Sequence, residues 1–414
     1  MKNIAIIGAG ISGLTVAHQL RDRYKIKIFE KESTPGGLIR CKRVNGNLYH
    51  LCGGHIFNSK RQDVLDWFWG KFDREREFTK ADRNSVVFMT DEQHIPYPVE
   101  NHIYLFDENT QKEFIEDILK IARAEDRIPN NFEEFLKYRF GDTLYRLYFK
   151  PYNEKVWRRD LKNVPLSWLE GKLPMPTVQE MIYNNINQIK EKKFVHSTFW
   201  YEKQDGSQFI ADKLAEGLDI CYNLEIERIK RVSEGWLING EYFDSVVFCG
   251  NIKHLHKMID GVDLTEYVAE IDALEYHGTT SVLCEITQNP YSWIYLPDNR
   301  YDSHRIICTG NFASSNNAQD KMTATVEFTD EISKEDIIEQ LRRIPMSPIY
   351  LDHYYNKYTY PIQDANTRSL IAALKNRLNR EQLYFTGRFA DWEYYNMDVA
   401  MGAAIDLCKS FKFE

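Results

Sequence analysis

The stretch Ile4-Ala5-Ile6-Ile7-Gly8-Ala9-Gly10-Ile11-Ser12-Gly13 decides the fold of this chain. Gly8 permits a tight turn from strand to helix, Gly10 lets the backbone approach a pyrophosphate, and Gly13 lets helix and strand pack closely. The N–H groups at the start of the helix favour negative charge. Glu30, which ends the next apolar run, is placed to accept hydrogen bonds from a ribose. The stretch therefore predicts a βαβ unit that binds a dinucleotide.

The composition narrows the class of protein. A chain of 414 residues with a net charge of −8 and no basic block predicts a globular protein of two or three lobes with no nucleic-acid partner. Met1-Lys2-Asn3 leads straight into the first strand, and no apolar run has the length of a membrane span. We therefore expect a cytoplasmic protein whose partner is a small molecule.

The cysteines are odd in number and widely scattered, without CxxC or Cys/His spacing. This pattern predicts buried thiols, with neither a disulfide framework nor a metal site. The seven are Cys41, Cys52, Cys221, Cys249, Cys284, Cys308 and Cys408.

Further elements extend the dinucleotide site. Glycine pairs at Gly36-Gly37 and Gly53-Gly54 would let a planar ring lie against the backbone. Where a nicotinamide dehydrogenase would continue with βα repeats, the sequence predicts a helix over 62–72 and a strand over 85–89. The C-terminal part predicts a strand ending in Gly387-Arg388 and a small-residue helix over 397–407, preceded by Asp391 and Asn396, whose N-terminus would face a flavin carbonyl. Two chain ends that meet on one cofactor favour FAD over NAD.

The middle of the chain predicts two further lobes. Apolar residues at helical spacing and dense aromatics over 107–193 predict a helical lobe. Runs of β-branched and aromatic residues over 279–328 predict a largely antiparallel sheet.

With these residues assembled, the chain resembles UDP-galactopyranose mutases from end to end, and the eukaryotic-type branch more than the common bacterial one. The motifs that carry the resemblance are Gly53-Gly54-His55, Pro96-Tyr97-Pro98-Val99-Glu100-Asn101, Pro151-Tyr152-Asn153-Glu154-Lys155-Val156-Trp157, Trp168-Leu169-Glu170-Gly171-Lys172, Trp293-Ile294-Tyr295-Leu296-Pro297, Arg305, Tyr360-Pro361, Gly387-Arg388-Phe389 and Trp392-Glu393-Tyr394.

The resemblance implies an α/β fold: an FAD-binding Rossmann-type (GR2-like) domain with an inserted helical lobe and a mainly antiparallel β-sheet lobe. The expected boundaries are 1–85, 198–275 and 365–414 for the discontinuous FAD-binding domain, 100–197 for the helical domain, and 86–99 with 276–364 for the sheet domain.

The resemblance also implies a reaction. It is the interconversion of the pyranose and furanose forms of a nucleotide sugar, UDP-galactose first, by covalent catalysis at N5 of reduced FAD without net redox. An external reductant such as NADPH would activate the flavin, and a homo-oligomer is left open.

Site residues follow from the same resemblance. The residues expected to bind FAD are Gly8, Gly10, Ser12, Gly13, Glu30, Lys31, Gly37, Leu38, Gly53, Gly54, Gly387, Arg388, Asp398 and Val399. Those expected to bind the substrate are Tyr97, Glu100, Asn101, Tyr152, Asn153, Trp157, Lys172, Tyr295, Arg305, Tyr360 and Tyr394. The catalytic set is Gly54, His55, Arg305 and Lys172, in which Arg305 would hold the diphosphate leaving group and His55 would lie near N5.

Two positions depart from the family pattern. Lys172 stands where the family has an arginine on a loop, here 168–176, that looks like a hinged lid, and Glu100 stands where eukaryotic members have glutamine. Lysine keeps the charge but loses the bidentate fork of arginine. These departures leave a deoxysugar, an acetamido sugar or a thymidine nucleotide open as substrate.

Two other classes of function compete with the mutase. Similar flavin folds serve amine oxidases and protoporphyrinogen oxidases, which would use oxidised FAD and release peroxide. A flavoprotein that only binds or assembles is the third. An oxidase predicts an apolar pocket without cations for a diphosphate, whereas this chain offers polar aromatics and cations.

Overall fold

The computed structural model of the chain describes residues 1–125, 127–166, 176–189, 198–318 and 321–410. Within these residues the strands are β1 (Asn3–Ile7), β2 (Lys25–Phe29), β3 (Cys41–Val44), β4 (Asn47–His50), β5 (Phe78–Asp82), β6 (Ser85–Phe88), β7 (His94–Pro96), β8 (Thr198–Glu202), β9 (Ile220–Cys221), β10 (Ile229–Val232), β11 (Gly235–Ile238), β12 (Glu241–Phe243), β13 (Ser245–Phe248), β14 (Ile259–Asp260), β15 (Glu275–Glu285), β16 (Trp293–Tyr295), β17 (Arg305–Ile307), β18 (Thr323–Thr329), β19 (Ile349–Ile362) and β20 (Leu383–Phe385). The α-helices are α1 (Ile11–Leu20), α2 (Gln62–Trp69), α3 (Arg74–Glu77), α4 (Glu108–Arg123), α5 (Phe132–Leu144), α6 (Lys150–Trp157), α7 (Val178–Ile186), α8 (Ser207–Ala215), α9 (Ile252–Met258), α10 (Thr265–Ala273), α11 (Lys334–Leu341), α12 (Thr367–Asn379) and α13 (Met397–Ser410).

A five-stranded parallel sheet holds the N-terminal stretch, in the order β20-β13-β1-β2-β9. Strand β1 lies at its centre, and its residues alternate between two cores. Ile4 and Ile6 pack with α1, α8 and α13 on one face, while Ala5 and Ile7 pack with α12 and the sheet β12-β11-β10-β14 on the other. The Rossmann-type part of the predicted fold is confirmed.

A seven-stranded sheet forms the second layer, in the order β19-β15-β18-β17-β16-β6-β7. Its pairs are antiparallel except β16 with β6, which run parallel. The register places Tyr295, Arg305 and Glu327 directly opposite one another on β16, β17 and β18. Residues directly opposite one another in a sheet point to the same face, so one row of side chains joins these three strands.

The helical lobe consists of α4 to α7, with a π-helical turn at Tyr145–Phe149 before α6. Its core is rich in aromatic side chains and continues into the seven-stranded sheet at Trp293 and Tyr295. For three elements the structure differs from the ends predicted from the sequence. The helix over 62–72 ends at Trp69, where Gly70 is the C-cap, the strand over 85–89 ends at Phe88, and α13 continues to Ser410 because its apolar face still packs on α1.

All seven cysteines are free. The prediction that they are all buried is wrong for Cys41, Cys221 and Cys249, which are half-buried. Cys41 begins a two-stranded sheet, Cys221 ends the edge strand of the parallel sheet, and Cys249 follows β13, so each lies at the end of a strand. Among the residues that the structure describes, no helix has the length and apolarity needed to cross a bilayer, and no group of His, Cys, Asp and Glu could hold a metal ion.

Glu202 on β8 predicts a pH-dependent stability. It is fully buried, its carboxylate oxygens find no hydrogen-bond partner within the described residues, and burial raises its pKa from 4.5 to about 8. The folded state therefore binds a proton that the unfolded state has lost, and the free energy of unfolding should fall as the pH rises between these two values.

At pH 8 we expect Glu202→Gln to be more stable than the wild type by about 4 kcal/mol, and at pH 5 by less than about 1 kcal/mol. Urea unfolding at the two pH values measures this. The control is Glu216→Gln, whose side chain is exposed. If Glu202→Gln gave no gain at pH 8, the carboxyl would not be buried as described.

Candidate functional site

The turn after β1 is built for close backbone packing. Gly8 has φ +103° and donates its N–H to the Phe29 carbonyl at 2.8 Å. A Cβ on Gly13 would lie 2.0 Å from the Gly8 carbonyl oxygen, so only glycine fits there. A Cβ on Gly10 would find nothing nearer than the Cα of Gly37, 3.9 Å away. Gly10 and Gly37 thus leave open space beside the turn, where a ligand can approach the backbone.

The start of α1 and Glu30 fit a dinucleotide cofactor. Gly10 is the N-cap and provides no side-chain cap, and the first turn carries no acidic residue, so its N–H groups are available to a pyrophosphate. The Glu30 carboxylate is buried and accepts hydrogen bonds from the Ala9 and Glu32 N–H groups at 2.7 and 2.9 Å. These bonds fix the carboxylate at the end of β2, where a ribose hydroxyl would meet it. Lys31 follows and is exposed.

Strand β20, near the C-terminus, ends at the same edge of the parallel sheet as β1. A Cβ on Gly387, which has φ +127°, would lie 3.3 Å from Ser12 Oγ, so the two predicted cofactor residues are adjacent. Val399 in the first turn of α13 is 42% exposed, unusual for a helix packed on α1, and leaves an apolar surface for a flavin ring. Beside it, burial raises the pKa of Asp398. The residues present therefore fit FAD.

Asp391, which precedes α13, binds to the turn after β20. Its carboxylate accepts from Gly387 N at 3.0 Å and from Thr386 Oγ1 at 3.1 Å, and it pairs with Lys375. Asp391 thus fixes the Gly387 turn.

His55 lies near Leu38 on one side and Arg388 of the C-terminal part on the other. Its ring is hydrogen-bonded to the backbone at Leu38, where Nε2 is 3.0 Å from the carbonyl oxygen, and at Cys52. Burial, followed by the positive charge of Arg388, lowers the pKa of His55 to about 4. Arg388 donates from Nε to the Tyr395 carbonyl at 2.9 Å and lies 4.6 Å from the Tyr394 ring centroid. His55 is therefore a neutral group at physiological pH, held in one orientation by the backbone.

Arg305 and Glu327 form a buried ion pair beside the glycine pair. Arg305 Nε donates to Glu327 Oε2, and Glu327 is only 1% exposed. Burial opposes the charge of Glu327, yet the guanidinium holds its pKa down to about 2. A Cβ on Gly53 would lie 3.3 Å from Glu327 Oε1, so the Gly53-Gly54 turn rests directly on the ion pair. A Cβ on Gly54 would collide with Ile307 at 2.6 Å.

Arg305 keeps one donor group for a ligand. Its Nη2 donates to the Tyr360 hydroxyl at 3.2 Å, and its Nη1 forms no hydrogen bond with any described residue. Tyr360 stacks on Tyr394 with ring centroids 5.3 Å apart and planes nearly parallel. A phosphate beside Arg305 would therefore find a guanidinium donor and a phenol together.

Tyrosine side chains connect the face of the sheet that carries Arg305 with the helical lobe. Tyr295 contacts Tyr97 at 5.1 Å and Tyr152 at 5.5 Å between ring centroids, and Tyr152 stacks on Tyr148 at 5.6 Å. The predicted substrate residues Tyr97, Tyr152 and Tyr295 are thus brought together with Arg305 on one side of the sheet.

Other predicted substrate residues are used inside the protein. Asn153 Nδ2 donates to the Phe149 carbonyl at 2.7 Å, and Asn101 Oδ1 accepts from Asn184 at 3.2 Å. Trp157 is buried in the core of the helical lobe, and Glu100 and Asn101 are buried too. Lys172 and the loop before Pro176 lie outside the described residues.

Three residues near the site were not predicted. Glu327 could have been found as a lone carboxylate in a strand of threonines and apolar residues. Arg83 donates to the Tyr295 hydroxyl and lies 4.9 Å from the Trp293 ring centroid, but nothing in its local sequence marks it. His304, beside Glu327, is the third.

Lys155 fixes the connection that carries the site. It is buried, and its ammonium donates to the carbonyls of Leu296 at 2.8 Å, Ser303 at 3.2 Å and Asp298. These carbonyls flank the connection between Tyr295 and Arg305. Helix α6 thereby holds the connection between β16 and β17, the strands that carry Tyr295 and Arg305.

Comparisons with known proteins agree with the fold. Residues 6–72 match the model of an NAD(P)-binding Rossmann-like domain. The dTDP-fucopyranose mutase of Escherichia coli is 24% identical over 99% of this chain and 98% of its own length. A protein of Klebsiella pneumoniae named "Probable UDP-galactopyranose mutase" is 30% identical, over 42% of this chain and 45% of its own.

Solved structures share the fold over the whole chain. A crystal structure of reduced UDP-galactopyranose mutase has a TM-score of 0.87 at 23% identity, over 99% of this chain and 95% of that one. Putrescine oxidase bound to putrescine has a TM-score of 0.65 at 15% identity, over 99% and 98%.

Fold and site together define a dinucleotide-binding α/β protein whose inserted lobes bring a half-buried arginine and several tyrosines to the cofactor edge. The end-to-end match to a curated nucleotide-sugar mutase and the fold shared with reduced UDP-galactopyranose mutase confirm the resemblance to the UDP-galactopyranose mutase family.

Proposed function

We propose that this protein is an FAD-dependent isomerase that interconverts the pyranose and furanose forms of a nucleotide sugar without net redox. The observation that carries the proposal is the row of Tyr295, Arg305 and Glu327, which lies against the Gly53-Gly54 turn. It puts a permanent positive charge next to the place where a flavin ring would lie. A diphosphate that leaves and returns during the reaction needs such a charge.

Reduced FAD, when bound, supplies the nucleophile at N5. Around it, the chain orients the substrate and stabilises charge. Arg305 offers Nη1 to the diphosphate, and the hydroxyls of Tyr360 and Tyr295 add donors beside it. Gly54 and neutral His55 line the flavin side, and Tyr97 and Tyr152 provide aromatic faces for the base. Lys172 is proposed to add a second cation from its loop.

Two substrates are favoured by different observations. UDP-galactose is the substrate that the motifs predict, and the relatives named for it match about two fifths of this chain. dTDP-fucose is favoured by the match to dTDP-fucopyranose mutase, which covers nearly the whole of both chains. The substitutions at Lys172 and Glu100 also favour a substrate other than that of most family members.

The oxidase alternative is less well supported by the site. The cations Arg83, Arg305 and Arg388 lie among the tyrosines, where an amine substrate would be repelled.

We expect the purified protein to hold FAD noncovalently and to be active only when the flavin is reduced. An N5 nucleophile needs the reduced ring, and isomerisation returns the flavin unchanged. The test is incubation with UDP-galactofuranose and with dTDP-fucofuranose, each with and without dithionite, followed by chromatography.

Turnover with dithionite should exceed turnover without it by about 100-fold or more, with no reductant consumed per cycle. Peroxide release with an amine, and no isomerisation of either sugar, would establish the oxidase instead.

A further inference from the structure

His304 is a buried titratable group that the proposed reaction does not use. It is 1% exposed, it lies directly before β17, and neither ring nitrogen has a hydrogen-bond partner among the described residues. Its Nε2 is 3.6 Å from Glu327 Oε2, too far for a hydrogen bond. An unpartnered buried imidazole costs free energy, so a bound state that pairs it gains stability.

The carboxylate of Glu327 lies close to two nitrogen groups. Arg305 Nε already donates to Glu327 Oε2, and His304 Nε2 is 3.6 Å from the same oxygen. If His304 carried a proton, it could close the 3.6 Å gap and form a second ion pair with Glu327. Glu327 would then hold Arg305 less firmly.

A diphosphate changes the charge of this cluster. Arg305 and Glu327 together are neutral, and a nucleotide sugar adds two negative charges close to them. Nearby negative charge favours a protonated histidine, and the effect is strong where water is excluded. The unpaired ring of His304 is the group in this cluster that can gain a proton.

We propose that His304 takes up a proton from solvent when a nucleotide sugar binds, pairs with Glu327, and so frees Arg305 to hold the diphosphate. His304 is thus a positioning residue that acts through Glu327. This inference rests on the proposed function, because it needs a diphosphate beside Arg305.

The charged and titratable groups facing His304 agree with an uncharged ring before binding. They are Glu327 on β18, Arg305 on β17, and Lys155 and Tyr152 on α6, whose ring centroid lies 6.4 Å from that of His304. Burial, which outweighs the favourable Glu327 carboxylate, lowers the pKa of His304.

Calorimetric titration of the oxidised holoenzyme tests the proposal. UDP-galactose and dTDP-galactose are suitable probes because their phosphates are diesters without the second ionisation near pH 6. Titrations at pH 7 in buffers of different ionisation enthalpy count the protons exchanged. We expect uptake of about a quarter to a half of a proton, and a Kd that weakens about 3- to 10-fold from pH 6 to pH 8, since proton uptake on binding makes the affinity fall as the pH rises.

His304→Gln and His304→Asn should bind the same probe without proton uptake and with a flat Kd. His256→Gln is the matched control, because His256 also lies 3.5 Å from a carboxylate, that of Asp272, on a helix of another part of the fold. It should keep the uptake.

Binding without proton uptake by the wild type would overturn this inference and leave the mutase proposal intact, even if the His304 variants failed to fold. Uptake that persists in a folded His304 variant, or that disappears in His256→Gln, would also overturn it. Failure of both probes to bind would count against the proposed function itself.

Discussion

Gly13→Ala should lose more than about 3 kcal/mol of unfolding free energy and should not retain FAD. The added Cβ would lie 2.0 Å from the Gly8 carbonyl oxygen, and backbone at the end of a central buried strand cannot move aside as a side chain can. Helix α1 would have to separate from β1, which opens the core formed with α13. Urea unfolding and the ratio of flavin to protein absorbance measure the two effects.

Gly10→Ala is the matched variant. Its Cβ would find only the Cα of Gly37, at 3.9 Å, so the chain should fold with nearly normal stability. The methyl group would nevertheless occupy the space into which a pyrophosphate must come, so FAD retention should fall. If Gly10→Ala kept FAD as the wild type does, the cofactor would not lie on this turn.

Arg305→Ala should abolish isomerisation and destabilise the fold. Glu327 would remain buried without its guanidinium partner, and breaking a buried pair in this way costs about 3–5 kcal/mol. The diphosphate would also lose its fixed cation, so kcat/KM should fall at least about 100-fold. Thermal unfolding and steady-state kinetics with the reduced enzyme measure the two losses.

The double variant Arg305→Met/Glu327→Leu separates the two losses. Replacing both partners with apolar side chains removes the buried charge, so stability should return to near the wild-type value while activity stays absent. An active double variant would show that Arg305 acts only on stability and has no part in binding the diphosphate.

Local sequence patterns were enough to predict the parallel sheet and the glycine turn after β1. Gly8, Gly13 and Glu30 lie within thirty residues of one another, and their roles depend on the backbone of that segment alone. The ends of elements were less predictable where packing decides them, as at Ser410.

The substrate side depends on contacts between distant segments. Arg305 was predicted only through the resemblance, because an arginine in a strand has no local signal for its partner. Glu327 becomes significant only when the register of β17 and β18 is known. Asn153 has an amide that could bind a nucleotide base, and it lies in a motif typical of the family. Its amide nevertheless donates to the Phe149 carbonyl one helical turn earlier, which the sequence did not predict.

The contacts of Lys155 with three carbonyls couple the movement of helix α6 to that of the site. Helix α6 cannot shift away from the β16–β17 connection without leaving an ammonium and three carbonyl oxygens unpaired. Any displacement of this helix is therefore transmitted to the strand that carries Arg305.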